Sequence, residues 1–152
     1  MSAYDGKTCA VSFSIAAKGA TVGTLVWKEL GMMKTKSMKA TWDTADSTAD
    51  STPDSSKTAI ATRIGVAFSG DGVSYDDAAY NQRGLKDQFF NPAVTTAGQP
   101  EAWFKLEYES GESFTGFFLM TSWSDDSPEA DVQTWSIEAS AQGKVTYADG
   151  VA

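Results

Sequence analysis

The sequence contains no histidine, and that absence excludes more chemistry than any residue present invites. Without imidazole there is no Ser-His-Asp or Cys-His nucleophilic catalysis, no His-ligated metal and no ordinary proton shuttle near neutral pH. Cysteine is nearly as scarce. Cys9 stands alone, so no internal disulfide forms, and its alternation with Val11, Phe13 and Ile15 gives it the role of a small buried hydrophobe. No run approaches the roughly 18 apolar residues that a membrane helix needs. The opening MSAYDGKTCAVSF has no basic region followed by an apolar one, so no secretory signal is predicted. Positive charge is also short: 12 Lys and Arg stand against 20 Asp and Glu, for a net charge of −8. Such a surface repels phosphates and excludes a conventional nucleic-acid binder.

What remains is ordinary for a folded domain. At 152 residues, with 41% hydrophobic and 21% charged side chains, the chain suits one domain over residues 1–152 with one core, and fits neither a disordered nor a membrane class. Period-two alternation of aromatic and β-branched residues dominates. Residues 9–16 alternate cleanly and predict a first strand; Thr21 to Leu30 reads as a second, and Met32 to Thr41 as a weak strand or extended arm. Thr44 to Lys57 repeats ADST, then PDSS, with no apolar residue larger than Ala. It buries too little to offset its ordering entropy, so a long mobile loop is expected over 43–58. Ile60 to Phe68 is a strong strand, and Ser69-Gly70-Asp71-Gly72 reads as a turn.

The one good helix candidate runs from Asp76 to Asn91, with Ala78, Ala79, Leu85, Phe89 and Phe90 as its apolar side and Gly84 as the expected interruption. Ala102 to Tyr108 alternates again. Phe114 to Tyr147 then reads as an antiparallel hairpin whose tip, Ser124 to Asp131, holds turn-forming acids, Ser and Pro. About seven strands and one helix give a mainly β chain: an antiparallel β-sandwich or partly closed barrel with one flanking α-helix.

Three constellations invite chemistry and fall short. The acids of 43–54 and of Ser124–Asp131 lack the ligand spacing of a calcium loop. Glu107, Glu109, Glu112 and Glu138 read as a charged face, not a tuned acid/base pair. Trp27, Trp42, Trp103, Trp123 and Trp135 could form a sugar platform but mostly sit within strand alternation, which favours packing.

The order of elements resembles the major tail tube proteins of long-tailed bacteriophages. The resemblance is carried by two early strands, the Thr/Ser/Asp loop opening with Trp42-Asp43-Thr44, a strand, the turn near Gly70, a flanking helix with Tyr80, Leu85 and Phe89, and above all the Phe114–Tyr147 meander. It implies a non-enzymatic subunit without cofactors, arranged in hexameric rings whose inner strands join into one barrel and which stack into a tube that conducts DNA. It further implies tail tip, terminator and tape measure proteins as partners, no membrane insertion, a place in the virion tail, and synthesis in the host bacterial cytoplasm. On this reading Glu107, Glu109, Glu112 and Glu138 are expected to line an acidic lumen. The loop residues Trp42, Asp43, Asp46, Asp50, Asp54 and Lys57 are expected to reach a neighbouring subunit or ring. Two features of the sequence agree: unprotected strand edges need closure, and an anionic wall lets DNA slide. The alternative reading is a β-sandwich carbohydrate-binding module using exposed tryptophans.

Overall fold

The computed structural model describes residues 9–46, 59–75 and 78–150. Nine regular elements follow in order: β1 (Ala10–Ser14), β2 (Lys28–Glu29), β3 (Met33–Asp46), β4 (Ala59–Val73), α1 (Gln82–Phe90), β5 (Glu101–Glu107), β6 (Ser113–Asp126), β7 (Thr134–Ala141) and β8 (Thr146–Ala148). The strands hydrogen-bond in the order β2-β1-β5-β6-β7-β4-β3, with β8 added beside β6, and every pairing is antiparallel. The expected mainly β chain with one flanking helix is what forms, and the sheet is not closed into a barrel.

The continuous sheet folds over itself. Along the ladder β5 and β4 are three strand spacings apart, about 14 Å in a flat sheet. Yet the rings of Phe104 on β5 and Phe68 on β4 lie 5.3 Å apart, and both meet Phe118 on β6. Two halves therefore face each other across one core. The first is β2-β1-β5 with the start of β6. The second is the end of β6 with β7, β4 and β3. The hinge is β6, which pairs with β5 over Ser113–Leu119 and with β7 over Phe118–Asp126, and carries an irregularity at Thr121. Val11, Phe13, Leu106, Met120, Trp135 and Ile137 complete the core, all at most 2% exposed. These are the inward positions that alternation predicts.

Several boundaries differ from the sequence expectation, each for a physical reason. Thr21 to Leu30 is not a strand: a 3-10 turn at Val22–Thr24 precedes the two-residue β2. Ser69-Gly70-Asp71-Gly72 is not a turn but the continuation of β4. Its glycines serve close approach: a Cβ on Gly72 would meet Met32 O at 2.5 Å and Met33 Cα at 3.0 Å, where the ladder to β3 shifts register. Ser124, Asp125 and Asp126, expected in a turn, extend β6 because Ser136, Trp135 and Thr134 pair with them.

The helix is shorter than expected. A 3-10 turn at Ala78–Tyr80 precedes it, and the break falls at Asn81, which takes φ 59°, not at Gly84. Its inward side is Gln82, Leu85 and Gln88, while Phe90 is exposed. Two amides were unexpected there. Gln82 donates to the carbonyls of Gly31 and Val73 and accepts from the Tyr75 N–H, which pins α1 to the segment before β3 and to the end of β4. Gln88 donates to Thr96 Oγ1 and to the Glu101 carbonyl and accepts from the Ala93 N–H. Buried amides persist where loop backbone groups need partners.

Candidate functional site

The long hairpin β3–β4 outruns the body. Strand β4 is held by β7 only from Ala67 to Val73, so residues 59–66 and their β3 partners form a two-stranded ribbon. Eight residues at the strand rise carry it about 26 Å beyond the sheet. The strand expected only as a weak arm is thus one of the longest, and Asp43, Thr44, Ala45 and Asp46, expected in a loop, belong to it. They pair with Arg63, Ala61, Ile60 and Ala59, and β-branched residues in β4 favour the extended form.

One face of the ribbon continues the core face into solvent. Met38 opposes Phe68 within the body; further out Ala40 opposes Val66 and Trp42 opposes Ile64. Trp42 is 55% exposed and Ile64 48%; Ile60, beyond the register shift at Thr62, opposes Ala45 on the other face. A two-stranded ribbon is marginal by itself in water, and this one leaves its apolar face uncovered.

Two further features adjoin it. Among the described residues β3 pairs only with β4, and the end of β6, Ser122–Asp126, pairs only with β7. The four-stranded half therefore has two open edges. One carries Lys34, Lys36 and Lys39; the other ends in Asp125 and Asp126. Lys36 is partly engaged, donating to the Cys9 carbonyl at 2.7 Å.

The outer face of the same half is built from small polar residues. Ser69 and Asp71 on β4 stand beside Glu138 and Ser136 on β7, which stand beside Ser122 and Ser124 on β6. A shallow depression of about 190 Å³ lies between them and Thr35. By register Asp43 and Asp126 share this face, against Lys39 and Arg63.

The acids grouped by sequence fall at two separate places. Glu138 is exposed on the polar face, opposite Ser69 and Ser122. Glu107, Glu109 and Glu112 belong to the β5–β6 turn, where Glu107 opposes Ser113. That is nine residues from Ser122, or about 30 Å along β6. Glu107 pairs with Lys105 at 3.2 Å, and Glu112 accepts from the Tyr147 hydroxyl. Trp42, Asp43 and Asp46 are on the ribbon, while Asp50, Asp54 and Lys57 lie outside the described residues. Sequence reasoning missed Ile60, Ile64 and Asp71 as site residues. The signal available was that Ile60 to Phe68 alternates much further than one half-buried sheet requires.

The other candidates dissolve on inspection of the geometry. No group of acids or Cys9 among the described residues is arranged to hold a metal ion. The tryptophans make no shared platform: Trp135 is buried, Trp123 stacks on it at 5.2 Å, Trp103 packs on Phe117, Trp27 lies under Lys105, and the exposed Trp42 stands apart on the ribbon. Cys9 is half-buried, and burial pushes its thiol above the ordinary value of 9.0, with Lys36 opposing. No helix among the described residues is long and apolar enough to cross a membrane.

No protein-family model matches the chain, and no curated protein matches it. Solved structures do. A chain from the tail of an empty gene transfer agent particle, refined with C6 symmetry, superposes with a TM-score of 0.73 at 15% identity, over 96% of this chain and 99% of that one. The SPP1 tail tube gives 0.68 at 11% identity, over 99% of this chain and 81% of that one. A chain of the six-fold symmetrised anti-feeding prophage baseplate gives 0.65 at 9%, over 100% and 99%. At these identities the likeness establishes a shared fold.

Proposed function

We propose that this chain is the structural subunit of a phage-type tail tube, without enzymatic activity. The observation that carries the reading is the unfinished four-stranded half: among the described residues it has two open edges, a small-polar anionic outer face, and a ribbon that exposes Trp42 and Ile64. Copies join head-to-tail, the β3 edge of one against the end of β6 in the next. Lys34 and Lys39 meet Asp126 across that seam, and the backbone groups of both edges gain partners. Repeating a heterologous contact that closes gives a ring. The C6 symmetry of the gene transfer agent tail supports six copies per ring.

Closing the half-sheets turns their outer faces inward. The lumen wall is then Ser69, Asp71, Ser122, Ser136 and Glu138, short side chains with excess negative charge. On that face Asp43, Asp71, Asp126 and Glu138 outnumber Lys39 and Arg63, so the wall is anionic in balance and repels the phosphates of DNA. Glu107, Glu109 and Glu112, on the β5–β6 turn, take no part in this wall. The ribbon, with Trp42, Asp43 and Asp46, leaves the body along the strand direction and buries its apolar face on a neighbouring copy. Tail tip, terminator and tape measure proteins complete the assembly in the virion tail after synthesis in the host cytoplasm.

Negative-stain microscopy of the purified chain tests this. Hollow tubes or rings of constant diameter are expected as concentration rises. A chain that stays monomeric at high concentration refutes it.

A further inference from the structure

A cleft of about 400 Å³ opens where the start of α1 meets the ends of β6 and β7, walled by Tyr75, Arg83, Lys86, Trp123, Gln133 and Trp135 together with Asp125. Its chemistry is one-sided. Trp135 is 2% exposed, and its indole N–H is the one buried side-chain donor without a partner among the described residues. Folded chains rarely leave such a donor unmet. Asp125, the only acid of the wall among the described residues, cannot serve it. One carboxylate oxygen accepts the Trp123 indole N–H at 3.1 Å and the other is bridged by Lys86. Arg83 is exposed on the first turn of α1 and makes no ion pair among the described residues, and the Gln133 side-chain amide has no partner there either. The cleft thus offers donors and an unbalanced cation in a chain of net charge −8.

Resting on the tail tube reading, we infer that this cleft is a socket for a carboxylate of a second copy, presented by the end of its β3–β4 ribbon. The donors select an anionic acceptor. The indoles give a sugar or base no open ring face, because Trp123 is covered by Trp135 at 5.2 Å on one side and flanked by Phe89 at 6.3 Å, and Tyr75 is in T-shaped contact with Tyr80 at 5.3 Å. Direction supplies the occupant. The cleft lies at the strand ends marked by Val73, Asp126 and Thr134, while the ribbon leaves the opposite end of the same strands, at Asp46 and Ala59. When rings stack by translation along the strands, the ribbon end of one copy, which carries Asp43 and Asp46, approaches the cleft end of the next.

The test is solid-state NMR on assemblies labelled with 15N at the tryptophan indoles, with the Trp135 signal assigned from Trp135→Phe. On assembly the Trp135 N–H moves to a hydrogen-bonded shift. Trp103 and Trp123, already bonded to the Ala17 carbonyl and to Asp125, hold still as references. Arg83→Ala, at an exposed helix position, raises the concentration needed for stacking by about tenfold, the effect of one charge-assisted hydrogen bond. Tubes in which the Trp135 signal is unmoved overturn the socket and leave the tube reading intact, even if Arg83→Ala weakens stacking, since Arg83 then acts outside the cleft. Arg83→Ala stacking at the wild-type concentration overturns it too. A wild-type chain that never assembles removes both readings.

Discussion

Replacing Trp42 with serine should separate assembly from folding. Trp42 is 55% exposed in the single chain and opposes Ile64 on the ribbon. A tryptophan presents up to about 250 Å², so about 140 Å² awaits burial, which at about 25 cal/mol per Å² amounts to about 3 kcal/mol per ribbon. In the proposed tube that contact is made only between copies. Its loss should raise the concentration at which tubes appear by more than about a hundredfold. Within the single chain the substitution removes one cross-strand pair, about 1 kcal/mol at most, so the melting temperature below the assembly threshold should fall by less than about 4 °C. Sedimentation across a concentration series and calorimetry on dilute protein read the two effects. Trp42→Ser assembling at the wild-type concentration, or melting more than about 10 °C lower as a monomer, would refute the argument that this side chain waits for a second copy.

Other positions test the fold and the wall. Gly72→Ala places a methyl against backbone atoms at 2.5 and 3.0 Å, and should cost about 1–3 kcal/mol and weaken the β3–β4 register, visible in the denaturant midpoint. Gln88→Leu fills the site but orphans the Ala93 N–H and the Glu101 carbonyl, and should cost at least about 2 kcal/mol; an unchanged urea midpoint removes the bridging role. The thiol of Cys9 is raised above 9.0 by burial, and the Tyr108 hydroxyl above 10.0, again chiefly by burial. Both groups are held neutral in the fold, so the stability they contribute is complete below pH 9 and is lost as pH rises through the raised values. Cys9→Ala should flatten the first part of that decline, and a urea midpoint that holds steady from pH 8 to 11 contradicts the burial. Finally, Asp71→Lys with Glu138→Lys gives the proposed wall cations. Tubes of that variant should co-sediment with DNA in low salt and release it as salt rises, where wild-type tubes hold none.

The strands were legible because half-buried strands alternate. Val11 and Phe13, Phe104 and Leu106, and Trp135, Ile137 and Ala139 are inward where period two puts them. What was illegible depends on partners far away in sequence. The Gly70 and Gly72 pair looks identical in a turn and in a strand crossed closely by Met32 and Met33; only the neighbour decides. Gln82 and Gln88 are polar, so a helical-face count leaves them out, yet the backbone groups they serve belong to the segment between β2 and β3, the end of β4 and the start of β5. The ribbon was half visible. Ile60 and Ile64 announced a strand, but Thr44, Ala45 and Asp46 are extended because that strand pairs with them, which no local composition reveals.

The distribution of charge on the two open edges bears on which contacts the chain can make with itself. An exposed strand as long as β3 invites a second β3, and that pairing gives a two-fold dimer that uses up the edge. Lys34, Lys36 and Lys39 all sit on the first half of β3, while Asp43 and Asp46 sit on the second. An antiparallel β3–β3 pair centred within the body would set lysines against lysines, and like charges directly opposite are destabilising. The end of β6 carries no cation: Ser122, Ser124, Asp125 and Asp126 leave it polar and negative. Pairing β3 with that edge has no such repulsion and gains the opposite-charge contacts. Specificity here is the difference between those two pairings, and it favours the heterologous contact. A chain whose edges were both neutral would lose that preference and divide itself between closed dimers and rings. The lysines on β3 therefore matter less for the energy of any one contact than for leaving the edge available to the one partner surface that lets the contact repeat.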